Sequence, residues 1–147
     1  MLLNYVEAFR SLNPNTTKDE GDKPYKPALL LAVIEGVEEE AISKNQIFIT
    51  PELIASFRKY HKLLNAVAPY QLRHFVYPFV YLQGERFWQL RDEHGQIVVL
   101  TSADAITSMK QLQKSMAYAR LDLNLWNLLQ TENTRTILRN ALIAKYA

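Results

Sequence analysis

The spacing of apolar residues along the chain predicts a mostly helical protein. Apolar side chains recur every three or four positions, which is typical of amphipathic helices. The segments with this period are 3–12, 27–42, 51–65, 103–114, 122–131 and 134–146. The apolar stripe of the first segment consists of Leu3, Val6, Phe9 and Leu12. The first half of segment 27–42 is apolar on nearly every side, so we expect it to lie at the centre of the core.

Other segments alternate as β-strands do. QIFIT at 46–50 predicts a short strand, and Thr50-Pro51 predicts the start of the next helix. RFWQLRDEHGQIVVL at 86–100 alternates around a polar DEHG turn, which predicts a hairpin. Residues 66–85 are interrupted by aromatic residues and prolines, and no element is assigned to them.

This order of elements predicts an α+β fold, mostly helical, with helices packed around a small antiparallel sheet. The succession helix, helix, strand, helix, hairpin also resembles a winged helix, as an analogy only. The chain has 147 residues, of which 48% are apolar and 22% charged, as in ordinary globular proteins. We therefore expect one domain over 1–147.

The composition also narrows the function classes. The chain has no cysteine, which excludes disulfides, thiolate catalysis and cysteine-ligated zinc. No apolar run approaches the roughly 20 residues that span a bilayer. The first residues, MLLNYVEAFRSL, lack the basic start of a signal peptide. We therefore expect a cytoplasmic protein without a membrane partner.

Charge is distributed unevenly along the chain. Residues 1–52 hold nine acidic and five basic residues, a net charge of −4, whereas residues 53–147 hold six and twelve, a net charge of +6. No acidic residue lies between Glu52 and Glu85, and the window 57–81 interleaves basic and aromatic side chains. A second acid-free window covers 105–121. This asymmetry favours a polyanionic partner, although half of the aromatic residues must face the core.

The sequence contains no strong motif for catalysis, metal binding or phosphate binding. The three histidines, at 61, 74 and 94, lack the spacing of metal ligands, and the glycines do not form a phosphate-binding loop. DEGDK at 19–23 offers carboxylates and a lysine, but in a loop without flanking strands. EEE at 38–40 is more typical of a solvated helix face. We expect no catalytic residue, no metal and no cofactor.

The segment KPYKPALLLAV at 23–33 is the most unusual local feature. Pro24 and Pro27 bracket Tyr25 and Lys26 where an apolar helix begins. Proline restricts its own φ and disfavours helical geometry in the residue before it. We expect a stiff, exposed Tyr-Lys pair at a helix N-terminus, a position that favours an anion. A plain capping segment is the alternative.

Other candidate positions have structural interpretations. Trp88 and Trp126 are expected in the core, because their neighbours alternate between apolar and polar. Arg135 and Arg139 are spaced i and i+4 and are consistent with a solvated helix face.

Four blocks of the chain together resemble the sulfur-binding domain of phosphorothioate-dependent type IV (McrA-like) restriction endonucleases. They are KPYKPALLLAVIEGV, QIFITPELIASFRKY, YPFVYLQGERFWQL and ARLDLNLWNLLQTENTRTILRNALIAKYA. The resemblance implies binding to duplex DNA in which sulfur replaces a non-bridging backbone oxygen. It also implies a pocket that combines basic groups with a small apolar surface. The family's domain is commonly joined to an HNH nuclease domain, which we do not expect within 1–147.

The resemblance assigns site positions one by one. Tyr25 and Lys26 occupy positions where the family has a histidine or similar ring followed by a basic residue. Tyr77 and Pro78 correspond to the apolar wall of the sulfur pocket, and Tyr81 lies where a smaller side chain is usual. If Tyr81 fills the pocket, sulfur selectivity is lost while DNA binding survives.

Further cations are implied around that wall. Arg73 and His74 are expected to contact phosphate or bases, and Arg120 lies near a loop that often supplies a base-reading cation. The resemblance thus implies a recognition module for modified DNA, working with a fused or separate nuclease.

Two alternatives stay open. The first is a general winged-helix-like DNA-binding regulator without sulfur selectivity. The second is a protein–protein module that uses the acidic end of the second helix and the aromatic segment 66–81 as its surface.

Overall fold

The computed structural model describes residues 1–13, 24–64, 69–103, 106 and 108–147. The helices among them are α1 (Leu2–Arg10), α2 (Tyr25–Glu38), α3 (Pro51–Leu63), α4 (Leu72–Tyr81), α5 (Met109–Ser115), α6 (Leu123–Leu129) and α7 (Glu132–Tyr146). A 3₁₀ turn, Leu82–Glu85, follows α4 directly. The strands are β1 (Trp88–Arg91), β2 (Ile97–Val98) and β3 (Tyr118–Leu121).

Helix α2 forms the centre of the protein. Every residue from Tyr25 to Ile34 is buried, and the helix packs against α3, α4 and α7. A helix that is apolar on all sides is stable only when other elements surround it. The prediction of a central helix from its composition is therefore confirmed.

The sheet has the antiparallel order β2-β1-β3. In the hairpin turn, the Asp92 carboxylate accepts hydrogen bonds from the backbone N–H groups of His94 and Gln96, both at 2.9 Å. Gly95 has a φ of 79°, which glycine adopts without strain. The Trp88 indole N–H donates to the Phe79 carbonyl at 2.9 Å, so one face of the sheet is fixed against α4.

The predicted fold class is confirmed, as are the hairpin and the buried position of Trp88. Trp126 is only half-buried and packs at the margin of the core. Among the described residues, we find no helix with the combined length and apolarity needed to cross a bilayer.

Three local predictions are wrong. Leu3 is 79% exposed, because α1 turns Leu2, Val6 and Phe9 towards the core instead. The segment 46–50 is not a strand: only Ile47 forms a β-bridge, with Ala119 of β3, and Thr50 already caps α3. The helix predicted over 103–114 is the shorter Met109–Ser115, and 104, 105 and 107 lie outside the described residues.

Two elements are absent from the sequence prediction. Segment 66–85 contains α4, a helix with Pro78 in its interior, and β3 forms between two helices at 118–121. Boundaries shift as well: α2 covers 25–38 instead of 27–42, and the last two helices cover 123–129 and 132–146.

Candidate nucleic-acid interface

Helix α4 carries a stripe of polar and aromatic side chains on its outer face. Arg73, Tyr77 and Tyr81 follow one another at intervals of four residues; Arg73 is exposed, and the two tyrosines are half-buried. His74 and Pro78 are buried. Of the five α4 positions implied by the family resemblance, three therefore share one accessible stripe.

His74 closes the start of α4. Its Nδ1 accepts a hydrogen bond from the Gln71 backbone N–H at 3.0 Å, while the His74 N–H donates to the Gln71 carbonyl at 2.9 Å. A nitrogen that accepts a hydrogen bond carries no proton, so neutral His74 has its proton on Nε2. The buried imidazole thus holds the helix N-terminus in place.

Behind the stripe, rings from three helices meet in a buried cluster. The Tyr25 ring of α2 stacks on the rings of His74 and of His61 in α3, with 4.8 and 5.6 Å between ring centroids. The two histidine rings stack on each other with their centroids 5.2 Å apart. Tyr70 stands edge-on to both histidines, at 6.2 and 6.4 Å. We call Tyr25, His61, Tyr70 and His74 the ring cluster; it connects α2, α3 and α4.

The electrostatics of the ring cluster favour neutral rings. Burial raises the pKa of Tyr25, the charge of Arg73 opposes this shift, and the neighbouring Tyr77 adds to it. Burial also lowers the pKa of His61. Arg73 is therefore the cation that acts on the Tyr25 phenol, and Tyr77 lies near enough to act on it too.

The predicted exposure of Tyr25 and Lys26 is wrong. Both belong to the first turn of α2, where they are 1% and 5% exposed. The first intrahelical hydrogen bond runs from the Ala28 N–H to the Pro24 carbonyl at 3.0 Å. Pro27 is only the third helical residue, where the missing N–H forfeits no bond. Burial of the apolar helix outweighs the steric preference of the residue before proline.

Lys26 is committed to an internal ion pair. Its Nζ lies 2.9 Å from Glu85 Oε1, and that oxygen also accepts a hydrogen bond from the Asn13 N–H at 2.9 Å. The two side chains are 6% and 10% exposed. A phosphate contact from Lys26 stays a prediction, and it would require this pair to open.

The two remaining predicted positions, Tyr81 and Arg120, lie in different parts of the structure. The Tyr81 hydroxyl accepts a hydrogen bond from the Ala103 N–H at 3.2 Å, and the Tyr81 ring lies 6.1 Å from that of Tyr77. Arg120 is exposed and pairs with Gln89 in the sheet, on the face opposite Trp88. Because Trp88 faces α4, Arg120 lies across the sheet from the stripe, and a base contact by Arg120 stays a prediction.

Sequence reasoning left several residues of this region unassigned. His61 and Tyr70 complete the ring cluster, the Arg58 guanidinium lies 4.7 Å above the Tyr70 ring, and Glu85 neutralises Lys26. The basic and aromatic window 57–81 contained the signal for the first three. Glu85 could not be paired with Lys26 from sequence, because 59 residues separate them.

Several other cations are neutralised internally. Lys59 pairs with Glu35, and the Arg139 guanidinium lies 2.7 Å from Glu38, with Arg135 at 3.6 Å from the same oxygen. The solvated face predicted for Arg135 and Arg139 is therefore wrong, because both side chains are largely covered and join α7 to the end of α2. EEE at 38–40 is exposed, as predicted.

A metal centre has no support in the part of the chain that the structure describes. That part holds no group of three or more histidine and carboxylate side chains placed to share an ion. DEGDK at 19–23 lies outside the described residues. The arrangement on α4 is suited to contact with an anion through the Arg73 guanidinium, and the tyrosine rings add an apolar surface beside it.

Comparison with known proteins gives matches at the level of structure only. No protein-family model matches the chain, and no curated protein does. The sulfur-binding domain of ScoMcrA complexed with phosphorothioated DNA superposes with a TM-score of 0.65 at 19% identity, over 96% of this chain and 85% of that one. The corresponding domain of SprMcrA, also complexed with phosphorothioated DNA, gives 0.65 at 16% identity, over 99% and 85%.

A larger structure, the type IV phosphorothioation-dependent restriction endonuclease ScoMcrA, matches with a TM-score of 0.64 at 19% identity. The match covers 96% of this chain and 29% of that protein. The chain therefore has the fold of these sulfur-binding domains. The resemblance inferred from the sequence is confirmed at the level of the fold.

Proposed function

We propose that this chain binds duplex DNA with a phosphorothioate in its backbone, as the recognition module of a type IV restriction or defence system. The observation that carries the proposal is the fold match, over 96–99% of the chain, to domains solved with phosphorothioated DNA. The stripe on α4 supports it, because an arginine stands there beside tyrosine rings.

The chemistry of the modified phosphate explains why such a surface discriminates. Sulfur is larger, softer and more weakly hydrated than oxygen, so contact with an apolar wall favours it. The phosphorothioate keeps its negative charge, which an arginine neutralises in either form of DNA. An apolar wall beside a cation therefore supplies selectivity and affinity through separate groups.

On this surface, Arg73 holds the charged oxygen, and the Tyr77 ring provides the wall for sulfur. The ring cluster holds this part of α4, and with it Arg73 and Tyr77, in position: Tyr25 stacks on His74, which is the residue after Arg73. Pro78 is buried, so it shapes the wall through the positions of its neighbours. Tyr81 borders the wall, with its hydroxyl turned to the Ala103 backbone.

Cleavage is assigned to another part of the system. The matched restriction endonuclease is more than three times as long as the region in common, so a nuclease domain or subunit is the proposed partner. This chain contributes recognition of DNA in the cytoplasm, where foreign DNA arrives.

The test is a competition binding assay on a ~10–12 base-pair duplex, with and without one backbone sulfur, at physiological salt. Low salt would inflate the non-specific contribution. We expect a preference of about a hundredfold, or roughly 2.7 kcal/mol. Tyr77→Ala should reduce this ratio, whereas Arg73→Gln should weaken binding to both duplexes.

The alternatives predict different results in the same assay. Equal binding to both duplexes would indicate a general DNA-binding domain and overturn the sulfur pocket. No binding to either duplex would overturn DNA recognition and favour the protein–protein interpretation.

A further inference from the structure

Helix α3 presents basic side chains next to the exposed stripe of α4. His61 of α3 stacks on His74 of α4 at 5.2 Å, so the outer faces of the two helices adjoin. Phe57 and His61 point into the core, and Arg58 and Lys62, one turn apart, lie exposed beside them. The exposed stripe of α4 thus has a cationic neighbour on α3.

Arg58 is held in a fixed position by Tyr70. Its guanidinium lies 4.7 Å above the Tyr70 ring, and this ring packs edge-on against Phe57, His61 and His74. Burial raises the pKa of Tyr70, and the charge of Arg58 opposes this shift. A guanidinium stacked on an aromatic face keeps its N–H groups available at its edge.

The next residue along α3 behaves differently. Lys59 turns to the other side of the helix and pairs with Glu35, which also accepts hydrogen bonds from Ser56 and Tyr60. Neither Arg58 nor Lys62 has an ion pair with a carboxylate in the described ranges. Two neighbouring cations on one helix therefore differ in whether their charge is already neutralised.

We propose that Arg58, stacked on Tyr70 and assisted by Lys62, is a second backbone-phosphate contact that binds DNA whether or not sulfur is present. The Arg58 side chain loses less conformational entropy when it binds, because the Tyr70 ring already holds the guanidinium in the DNA-free protein. Arg58 extends from α3 over Tyr70, whereas Arg73 extends from α4, so we assign the two arginines to different phosphates. This inference rests on the proposed DNA-binding function and extends it to α3.

The experiment compares Arg58→Gln with Lys59→Gln, which removes the same charge one residue away. Affinities are measured for the sulfur-containing and sulfur-free duplexes at several salt concentrations. Arg58→Gln should weaken both complexes about five- to tenfold and reduce the salt slope by about 1, with an unchanged sulfur preference. Lys59→Gln should change affinity less than about twofold, since that charge is paired.

A second variant checks the role of the ring. Tyr70→Leu keeps the site apolar but removes the aromatic face, and it should reproduce part of the Arg58→Gln loss for both duplexes. Thermal melting of each variant establishes that it is folded, and Arg58→Met provides a second variant without the charge if Arg58→Gln is not folded.

The outcomes separate this inference from the proposed function. If the parent protein prefers sulfur and Arg58→Gln binds as tightly as the parent, the second contact is wrong and the function stands. If the parent shows no sulfur preference but Arg58→Gln still weakens binding, the proposed function fails and the contact stands. No binding by the parent overturns both.

Discussion

At the scale of single residues, the ion pair between Lys26 and Glu85 connects the first turn of α2 to the end of the 3₁₀ turn after α4. We expect Lys26→Met to lower the free energy of unfolding by about 3 kcal/mol, because it leaves the Glu85 carboxylate buried without its cation. Adding Glu85→Gln should restore much of the loss, since the amide oxygen still accepts from Asn13. Urea unfolding of the parent, both single variants and the double variant measures this coupling.

The control for this cycle is Lys59→Met, which removes a lysine from an exposed pair. The Lys59 side chain is 57% exposed, so the loss in the free energy of unfolding should stay below about 1 kcal/mol. A Lys26→Met protein as stable as the parent would contradict the structural role and restore Lys26 as a candidate phosphate contact.

His61 makes stability depend on pH. Burial lowers its folded-state pKa, so below the unfolded value of about 6.5 the unfolded chain binds more protons than the folded one. Its neighbours Tyr25 and Tyr70 are neutral in this range, and His74 uses Nδ1 as an acceptor. Stability is therefore complete above about pH 6.5 and falls as the pH drops towards the folded pKa.

We expect protonation of His61 in the unfolded chain to lower the free energy of unfolding by at most about 1 kcal/mol between pH 7 and pH 5.5. Urea titrations at both values measure the loss, and His61→Phe should reduce the difference between them. An unchanged difference in His61→Phe would assign the pH dependence to other groups.

At the scale of elements, the sequence predicts most reliably what depends on local pattern. The burial of α2, the Thr50 cap of α3 and the hairpin all follow from neighbouring residues, and the Thr50 hydroxyl does accept from the Leu53 N–H at 3.1 Å. β3 could not be predicted because its partner strand β1 lies about 30 residues earlier and both strands have only four residues. Helix α4 could not be predicted, because aromatic residues occupy both its buried and its outer face and no helical period of apolar residues remains.

The candidate site was predictable to the same extent. The window 57–81 and the family resemblance identified Arg73, His74 and Tyr77, which lie on consecutive turns of one helix. The resemblance placed Lys26 and Arg120 beside them, but the ion pair to Glu85 and the strand pairing with Gln89 depend on tertiary contacts. A linear sequence does not reveal which cation a distant carboxylate has already neutralised.

The proline inside α4 offers an element-scale test. Pro78 lacks an N–H for the His74 carbonyl, and an interior proline costs a helix about 3 kcal/mol relative to alanine. We expect Pro78→Ala to keep stability within about 1 kcal/mol of the parent, because helix gain offsets lost packing. We also expect it to lower the sulfur preference at least about fivefold, through displacement of Tyr77.

Urea unfolding and the two-duplex competition assay measure these effects separately. Pro27→Ala is the matched control, since Pro27 occupies the first turn of α2 and forfeits no hydrogen bond. A Pro78→Ala protein with parental sulfur preference would leave Pro78 as a packing residue only.

At the scale of the whole molecule, internal pairing decides how much positive charge remains for the proposed DNA partner. Glu35, Glu38 and Glu85 neutralise cations on α2, α3 and α7. The cations on the exposed faces of α3 and α4 are Arg58, Lys62 and Arg73. Each phosphate neutralised contributes about −0.9 to the slope of log affinity against log salt. Three such contacts predict a slope of about −3.

We expect Arg73→Gln to reduce this slope by about 1 and Arg139→Gln to leave it unchanged, because Arg139 already pairs with Glu38 at 2.7 Å. Both substitutions lower the net charge equally, so a response governed by net charge would shift the two slopes alike. Fluorescence anisotropy from about 50 to 300 mM salt distinguishes these cases. A slope near zero for the parent would mean that the cationic faces of α3 and α4 do not bind a polyanion.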